Sequence, residues 1–290
     1  MATMRDIRRR IRVVKNIQQI TNAMKMVAAA RLRRAQERAE AARPYADKMF
    51  YMLESLSRAA ILRQAQEVEH PLLEVRPEEN IAAIVIGAER GLAGSYNASL
   101  MRAAVELLRG RDPGTVKLIL FGRKAGSFLR RRPYPIVMSS SLAAANIQFA
   151  DVRGAAAKVR ELFASREVDA VYLVYAKFVN AAIQRPTVLK LLPIEPPGGK
   201  EEAIPTEYIF EPDAEDLLGR LLPKYVDTQV FRAAVEAVAS EHGARMTAMT
   251  AATSNAGEMI DTLTLSYNKA RQAAITKELL EIVGGAEALR

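Results

Sequence analysis

The sequence predicts a small, mostly parallel, Rossmann-like α/β domain flanked by two long helices that pair into an antiparallel coiled coil. Strand and helix patterns alternate through residues 72–210, which is typical of a parallel sheet covered by helices. Helical patterns without strands occupy both ends of the chain, each with apolar residues at steps of three and four. Neither helix could expose such a stripe to water over its whole length. We therefore expect the two ends to pair into a shaft.

The N-terminal segment, residues 1–57, is predicted to be one long helix. From Asp6 to Ser57 it contains no glycine, and Pro44 is its only helix breaker, indicating a kink or a break. At a rise of 1.5 Å per residue, roughly 50 residues would form a rod of about 75 Å. The expected apolar stripe consists of Ile7, Ile11, Val14, Ile17, Ile20, Met24 and Val27.

The C-terminal segment, residues 213–290, mirrors the first. Asp213 suits the N-cap position, and Pro223 either kinks the helix or occupies the first turn of its main part. Gly284-Gly285 is predicted to end the helix. Its expected seam consists of Val226, Val230, Ala233, Ala237, Ala244, Ala248 and Ala251.

The central segment contains short apolar runs that are typical of buried strands, separated by helical patterns. A hairpin through the Asn180 region is expected to join the last two strands, and a loop from Pro193 to Pro205 leads back to the shaft. The predicted strands are 81–87, 116–122, 170–175 and 187–192, and the predicted helices are 95–108, 124–131 and 151–164.

Charge is concentrated at the N-terminus. The chain has a formal net charge of +9, and residues 1–43 carry twelve Lys and Arg residues against three acids, so this segment accounts for the whole excess. A segment of this kind is either a solvated helix face or a surface for an acidic partner. Nucleic acid is poorly supported as that partner, because the segment's first 43 residues contain no aromatic side chain that could stack on bases.

No catalytic constellation is recognisable, and we expect neither a metal nor another cofactor. The glycine-rich stretch 87–94 follows a strand, but its spacing fits neither phosphate-binding motif, so a tight strand-to-helix turn is the favoured interpretation. His70 and His242 lie on different segments without metal-ligand spacing, and the absence of cysteine excludes disulfides and thiolate sites. No run of about 18 apolar residues and no signal-peptide pattern is present, which favours a cytoplasmic bacterial protein.

Both ends of the chain closely resemble the gamma subunit of the F-type ATP synthase. The resemblance covers residues 11–36 at the N-terminus and residues 239–249, 252–256, 263–276 and 281–289 at the C-terminus. In the middle, Arg90-Gly-Leu-Ala-Gly-Ser-Tyr-Asn97 is similar to the family's glycine turn, although Glu89 and Ala93 replace its usual Asp and Cys. The stretch 191–213 is too short for the regulatory insert of chloroplast homologues, so redox control is not expected.

The resemblance implies a central rotor stalk without an active site of its own. Its partners would be the ring of alpha and beta subunits, the epsilon subunit and the ring of c-subunits, at the cytoplasmic face of the bacterial plasma membrane. Rotation of the shaft would couple proton flow to ATP synthesis. The alternative is a basic coiled-coil protein that binds nucleic acid or acts as a scaffold.

The same resemblance assigns the residues that would contact the beta subunit. Arg271, Gln272 and Thr276 would meet its catch loop, with Arg245 and Glu278 nearby. Met24 and Lys25 would face its acidic lever segment, which would explain an arginine-rich helix without nucleic acid.

Overall fold

The chain folds into two compact units. A computed structural model describes residues 3–62, 70–142, 147–194 and 214–287. The coiled-coil unit comprises Met1–Ala28 and Arg245–Arg290, and the sheet unit comprises Ala29–Ala244. Two long helices, α1 (Met4–Leu62) and α5 (Ala214–Glu287), each contribute to both units.

The remaining strands and longer helices belong to the sheet unit. In chain order they are β1 (Ile81–Ile86), α2 (Tyr96–Leu108), β2 (Val116–Phe121), α3 (Arg123–Leu129), β3 (Ile136–Ser140), α4 (Phe149–Ala164), β4 (Ala170–Phe178) and β5 (Gln184–Leu192). Each strand and helix predicted between residues 81 and 192 is present, within a few residues of its expected bounds.

The sheet has the strand order β3-β2-β1-β4-β5, and β5 alone runs antiparallel to its neighbour. The expected mostly parallel sheet is therefore confirmed. The chain moves outward from β1 to β3 and returns to β4 on the other side of β1. Right-handed crossovers then place α4 on the opposite face of the sheet from α2 and α3.

One strand was missed by the sequence prediction. Strand β3 is a five-residue edge strand whose side chains alternate between half-buried and exposed. It therefore lacks the continuous apolar run that marks β1, in which all six residues are buried.

The predicted hairpin between β4 and β5 is confirmed. The Asn180 side-chain oxygen accepts hydrogen bonds from the backbone N–H groups of Ala182 and Ile183, at 2.9 and 2.8 Å. An asparagine that satisfies the backbone two and three residues ahead of it stabilises a tight turn.

Helix α5 packs closely against one end of the sheet. The Ser240 hydroxyl donates to the carbonyl oxygen of Ala176 at 2.8 Å, and the Tyr96 hydroxyl donates to that of Ala237 at 3.1 Å. Small side chains at this level allow the helix backbone to approach the carboxyl end of β4 and the start of α2. Between Ala233 and Ala244 every residue except Glu236 is buried.

Two glycines of α5 provide a matched test of this close approach. A Cβ atom at Gly243 would lie 3.3 Å from the carbonyl oxygen of Ala181 in the hairpin turn, whereas a Cβ atom at Gly219 would have no neighbour within 4 Å. Alanine is favoured over glycine within a helix by about 1 kcal/mol. We expect Gly219→Ala to raise the free energy of unfolding by up to about 1 kcal/mol, and Gly243→Ala to yield no gain or a loss of about 1 kcal/mol. Urea titration of the two variants measures the difference, and equal gains would contradict the proposed packing.

The two helices of the coiled-coil unit are antiparallel. Thr21 and Thr253 are joined through their hydroxyl groups at 2.8 Å, and the Gln18 side chain lies against Gly257. Further along, the Arg8 guanidinium donates to the Tyr267 hydroxyl. Because the residue number falls on α1 as it rises on α5, the predicted antiparallel pairing is confirmed.

The seam of α1 in this unit differs from the expected stripe. Ile7 and Val14 are buried as expected, but the seam continues through Thr21 and Ala28 in heptad steps. The predicted continuation through Ile17, Ile20, Met24 and Val27 is wrong: Met24 is half-buried and the other three are exposed. Apolar residues at steps of three and four can define more than one face of the same helix. Thr21 and Ala28, which allow the two helices to approach closely, are too small or too polar to be found by a search for large apolar side chains.

The α5 seam is confirmed from Val226 to Ala244, but Ala248 is only half-buried and Ala251 is exposed. In the coiled-coil unit, Met249 and Ala256 are buried instead. The seam therefore shifts at the point where α5 leaves the sheet unit and pairs with α1, because a different neighbour decides which face is covered.

The expected helix breakers do not end the helices. Pro44 lies within α1 and Pro223 within α5. The predicted stop at Gly284-Gly285 is wrong, because α5 continues to Glu287 and neither glycine adopts a positive φ. The expected N-cap, Asp213, and the loop residues 195–205 lie outside the described residues.

Candidate functional site

All seven residues predicted to contact the beta subunit lie in the coiled-coil unit. Met24 and Lys25 are half-buried on α1, and Arg245 is buried at the start of this unit on α5. The other four predicted residues are exposed on α5 and are Arg271, Gln272, Thr276 and Glu278.

The structure separates these residues into two groups. Arg271 and Glu278 are seven residues apart and Gln272 and Thr276 four apart, so each pair shares one face of α5. Arg245 lies 26 residues earlier, about 39 Å along the helix axis, and therefore cannot belong to the same contact. The antiparallel register places it near the level of Met24 and Lys25.

The end of α5 extends beyond the described part of α1. Continuing the register of the Arg8–Tyr267 and Thr21–Thr253 pairs, Thr3 lies opposite residue 272. The last turns of α5 therefore have no helix of this chain opposite them among the described residues. Their exposed aliphatic side chains are Ile275, Leu279, Leu280 and Ile282.

Most cations of α1 in the coiled-coil unit have no ion-pair partner among the described residues. Six cations of the coiled-coil unit form no ion pair with any part of the chain that the structure describes: Arg5, Arg9, Arg10, Arg12, Lys15 and Lys25. Asp6 is the acid among them, and its carboxylate accepts hydrogen bonds from the backbone N–H and the hydroxyl of Thr3. These bonds hold the pKa of Asp6 below its usual value. The charge that the sequence concentrates here thus remains available to an acidic partner.

The glycine-rich turn after β1 is closed by the protein itself. The backbone N–H of Gly87 donates to the carbonyl oxygen of Phe121, that of Gly122 to Ser140, and that of Lys124 to Ala88. The Glu89 carboxylate accepts hydrogen bonds from the backbone N–H of Leu142, at 2.9 Å, and from Arg123, at 3.2 Å. The backbone N–H of Ala88 also donates to the Asn97 side-chain oxygen, at 3.3 Å. Since the amides of Gly87 and Ala88 are used internally and a carboxylate lies in the turn, the geometry supports the structural turn over a phosphate site.

Neither histidine has the surroundings of a metal ligand. No group of three or more His, Asp or Glu residues within residues 3–62, 70–142, 147–194 and 214–287 could hold a metal ion. The His70 imidazole Nδ1 instead accepts a hydrogen bond from the backbone N–H of Leu72, at 3.1 Å, and so caps a short 3-10 turn.

The cap at His70 predicts a pH dependence of stability. Burial lowers the pKa of His70 below its usual value of 6.5, so the unfolded chain binds a proton at a pH where the folded chain does not. The stabilisation from His70 should be fully present above pH 6.5 and be lost as the pH falls below that value and through the lower pKa of the folded chain. His70→Asn keeps a capping acceptor but does not titrate. The variant should lose less stability between pH 7 and pH 5.5 in urea titrations, and an identical pH dependence would refute the assignment.

The comparisons with known proteins agree with this architecture. Residues 3–289 match the family model described as ATP synthase. The ATP synthase gamma chains of Desulforamulus reducens and Desulfitobacterium hafniense are each 50% identical to this chain, over 289 residues and the full length of both proteins. The chain belongs to the ATP synthase gamma chain family. Its function is that of the central rotor stalk of an F-type ATP synthase, and nothing in the comparisons supports the alternative of a nucleic-acid-binding or scaffold protein.

Solved structures have the same fold. A chain from the central stalk and c-ring of the Tetrahymena thermophila mitochondrial ATP synthase is 26% identical, with a TM-score of 0.60 over 80% of this chain and 99% of that one. A chain from the Euglena gracilis mitochondrial enzyme has a TM-score of 0.67 over 99% of this chain and 94% of that one, at 20% identity, and shows the fold alone. Within the described ranges, no helix combines the length and apolar composition of a membrane span.

Three contacts of the coiled-coil unit were not predicted. They are Arg8 with Tyr267, Thr21 with Thr253, and Gln18 with Gly257. The seven-residue spacing of Thr21 from Val14 was the available signal, but a polar residue in a seam is not found by a search for apolar periodicity.

Proposed function

We propose that the coiled-coil unit turns within a ring of alternating alpha and beta subunits, while the sheet unit is held against the epsilon subunit and the c-subunit ring. The observation that carries this proposal is the single-helix end of α5, whose exposed aliphatic side chains have no partner helix of this chain opposite them. The aliphatic face of this end can rotate against an apolar sleeve without breaking charge-assisted hydrogen bonds at every step, while Lys277 and Glu281 pair with each other on the helix surface.

The polar contacts are proposed to begin at the start of that end and to continue between its aliphatic side chains. Arg271, Gln272 and Thr276 are exposed together on α5 and are suited to meet the beta-subunit catch loop, with Glu278 two turns beyond Arg271. A guanidinium and a side-chain amide can form directional hydrogen bonds that hold a resting position of the shaft.

A second group is proposed to contact the acidic lever segment of beta. Met24 and Lys25 supply a half-buried surface on α1, and neither Lys15 nor Lys25 forms an ion pair among the described residues. Arg245 lies near this level, and its burial favours a role in supporting the group from within the shaft.

The functional division of the chain that we propose has three parts. Residues 1–57 and 213–290 form the helices of the shaft, and residues 72–210 form the α/β domain beside the c-ring. The assembled chain is proposed to be peripheral, at the cytoplasmic face of the bacterial plasma membrane, where the shaft couples proton flow to ATP synthesis.

Reconstitution with the alpha and beta subunits tests the proposal directly. The chain should co-purify with them, and the chain expressed alone should show no ATP hydrolysis, because the nucleotide sites belong to the ring. Hydrolysis by the ring with the chain, followed by release of the chain when ATP is removed, would be inconsistent with a permanent shaft. Robust turnover by the pure chain would overturn the rotor proposal.

A further inference from the structure

The sheet unit contains a cavity that the proposed rotor function does not use. Its volume is about 690 Å³, and it lies between α1, the beginning of α4, the end of β4 and the first half of α5. Pockets of about 300–1,000 Å³ lined mainly by apolar and aromatic side chains are typical of small-molecule sites.

Aromatic side chains from all four elements form its apolar wall. They are Tyr45, Phe149, Phe178 and Phe231. The rings of Phe149 and Phe231 meet edge to face, with centroids 6.1 Å apart and planes at 66°. Rings in this arrangement leave faces and edges on which a further aromatic ring can pack with favourable geometry.

The acids on the wall are mostly neutralised by the protein. Asp227 is paired with Arg160 at 2.8 Å, and Glu236 with Arg232 at 3.1 Å. Each carboxylate therefore has a cation of the chain beside it, which offsets its charge, while Glu236 Oε2 is buried without a hydrogen-bond partner among the described residues.

The cations of the cavity are mostly not committed. Arg153, Lys177 and Lys224 line it and form no ion pair with any described residue, and neither does the acid Glu40. Burial raises the pKa of Asp227, and the positive charges of Arg160 and Arg153 oppose that rise, so Arg153 already attracts one carboxylate of the wall. The unpaired charges thus leave an excess of two positive charges next to an aromatic wall. This combination is complementary to a molecule with an aromatic ring and an acidic group.

We infer that this cavity binds a small aromatic anion, a carboxylate or a sulfonate. The ring lies among the four aromatic side chains, and the acidic group faces Lys177 and Lys224. The inference does not depend on the proposed rotor contacts, since every lining residue belongs to the sheet unit.

Fluorescence titration of the full chain with 8-anilinonaphthalene-1-sulfonate tests this inference. We expect saturable binding of one probe molecule in the cavity. Naphthalene-2-carboxylate should displace the probe, and naphthalene-2-methylammonium, which carries the opposite charge on the same ring system, should not. Equal displacement by the ammonium compound would overturn the proposed charge complementarity.

Variants of the full chain locate the site. Lys177→Glu combined with Lys224→Glu should weaken binding about tenfold, because two exposed attractions are each replaced by a repulsion. Arg102→Glu, an exposed change on α2 outside the cavity, should leave the affinity unchanged. Thr228→Trp fills the cavity from α5 and should abolish binding of the probe at this site. The inference would be overturned if the probe bound with unchanged affinity both to the Lys177→Glu, Lys224→Glu variant and to the Thr228→Trp variant, with the circular dichroism of each unchanged. That result would show that the probe binds elsewhere.

Discussion

Replacing Gly122 with alanine is expected to destabilise the sheet unit by at least about 3 kcal/mol. Gly122 has φ +83 and ψ 139, a backbone conformation that is open almost exclusively to glycine. A Cβ atom there would lie 2.2 Å from the carbonyl oxygen of Gly87, which is part of the backbone and cannot rotate away as a flexible side chain would. The ends of β1 and β2 would have to separate, disturbing the buried centre of the sheet.

Gly110 is the matched control for this variant. It also has a positive φ, +75, but a Cβ atom at Gly110 would have no neighbour within 4 Å. Gly110→Ala should therefore cost only the conformational strain, about 1–2 kcal/mol. Hydrogen exchange of the β1 and β2 amides under increasing urea reports the stability of the sheet unit specifically. If the two variants lost similar free energies of unfolding, the close approach of Gly122 to Gly87 would make no contribution to stability.

Replacing Met24 with lysine is expected to slow ATP-driven proton pumping about fivefold in the assembled enzyme, with little effect on assembly of the ring. Met24 is half-buried on α1, beside Lys25 and within the basic face of the coiled-coil unit. An added ammonium group next to the proposed acidic lever segment would form an ion pair that has to break during each turn. A contact worth about 1 kcal/mol changes a rate by roughly a factor of five.

Two controls separate charge at this position from charge on the helix in general. Met26→Lys adds the same ammonium two residues away, on another side of α1, where Met26 is 58% exposed. Met24→Leu keeps the side chain apolar and of similar size. Proton pumping into inverted membrane vesicles should fall for Met24→Lys alone. Unchanged pumping by that variant, or an equal loss with Met26→Lys, would argue against a lever contact at Met24.

The positions of four strands and three helices in the central segment, and the pairing of the terminal helices, were predictable because both depend on repeated local patterns. The buried strand at residues 81–86 and the hairpin at Asn180 each depend on a few consecutive residues, and both are present in the structure. The edge strand β3 was not predictable in the same way, because its residues are only half-buried or exposed and the sequence there lacks a continuous apolar run. The candidate contact residues came from the family resemblance, and no periodicity or charge count would have selected Gln272 or Thr276.

The sequence alone determined that two helices must pair, that one of them carries the excess positive charge, and that no recognisable catalytic motif is present. Periodicity and composition are local properties, so they can be determined without knowing the neighbours of each residue. Only the tertiary structure decided which face of each helix is covered, replacing the expected Ile17–Ile20 stripe with a seam through Thr21 and Ala28. It also decided that Gly122 must remain a glycine and that three cations, unpaired among the residues the structure describes, line an aromatic cavity. These features depend on distances between segments far apart in the chain, and a sequence pattern does not contain such distances.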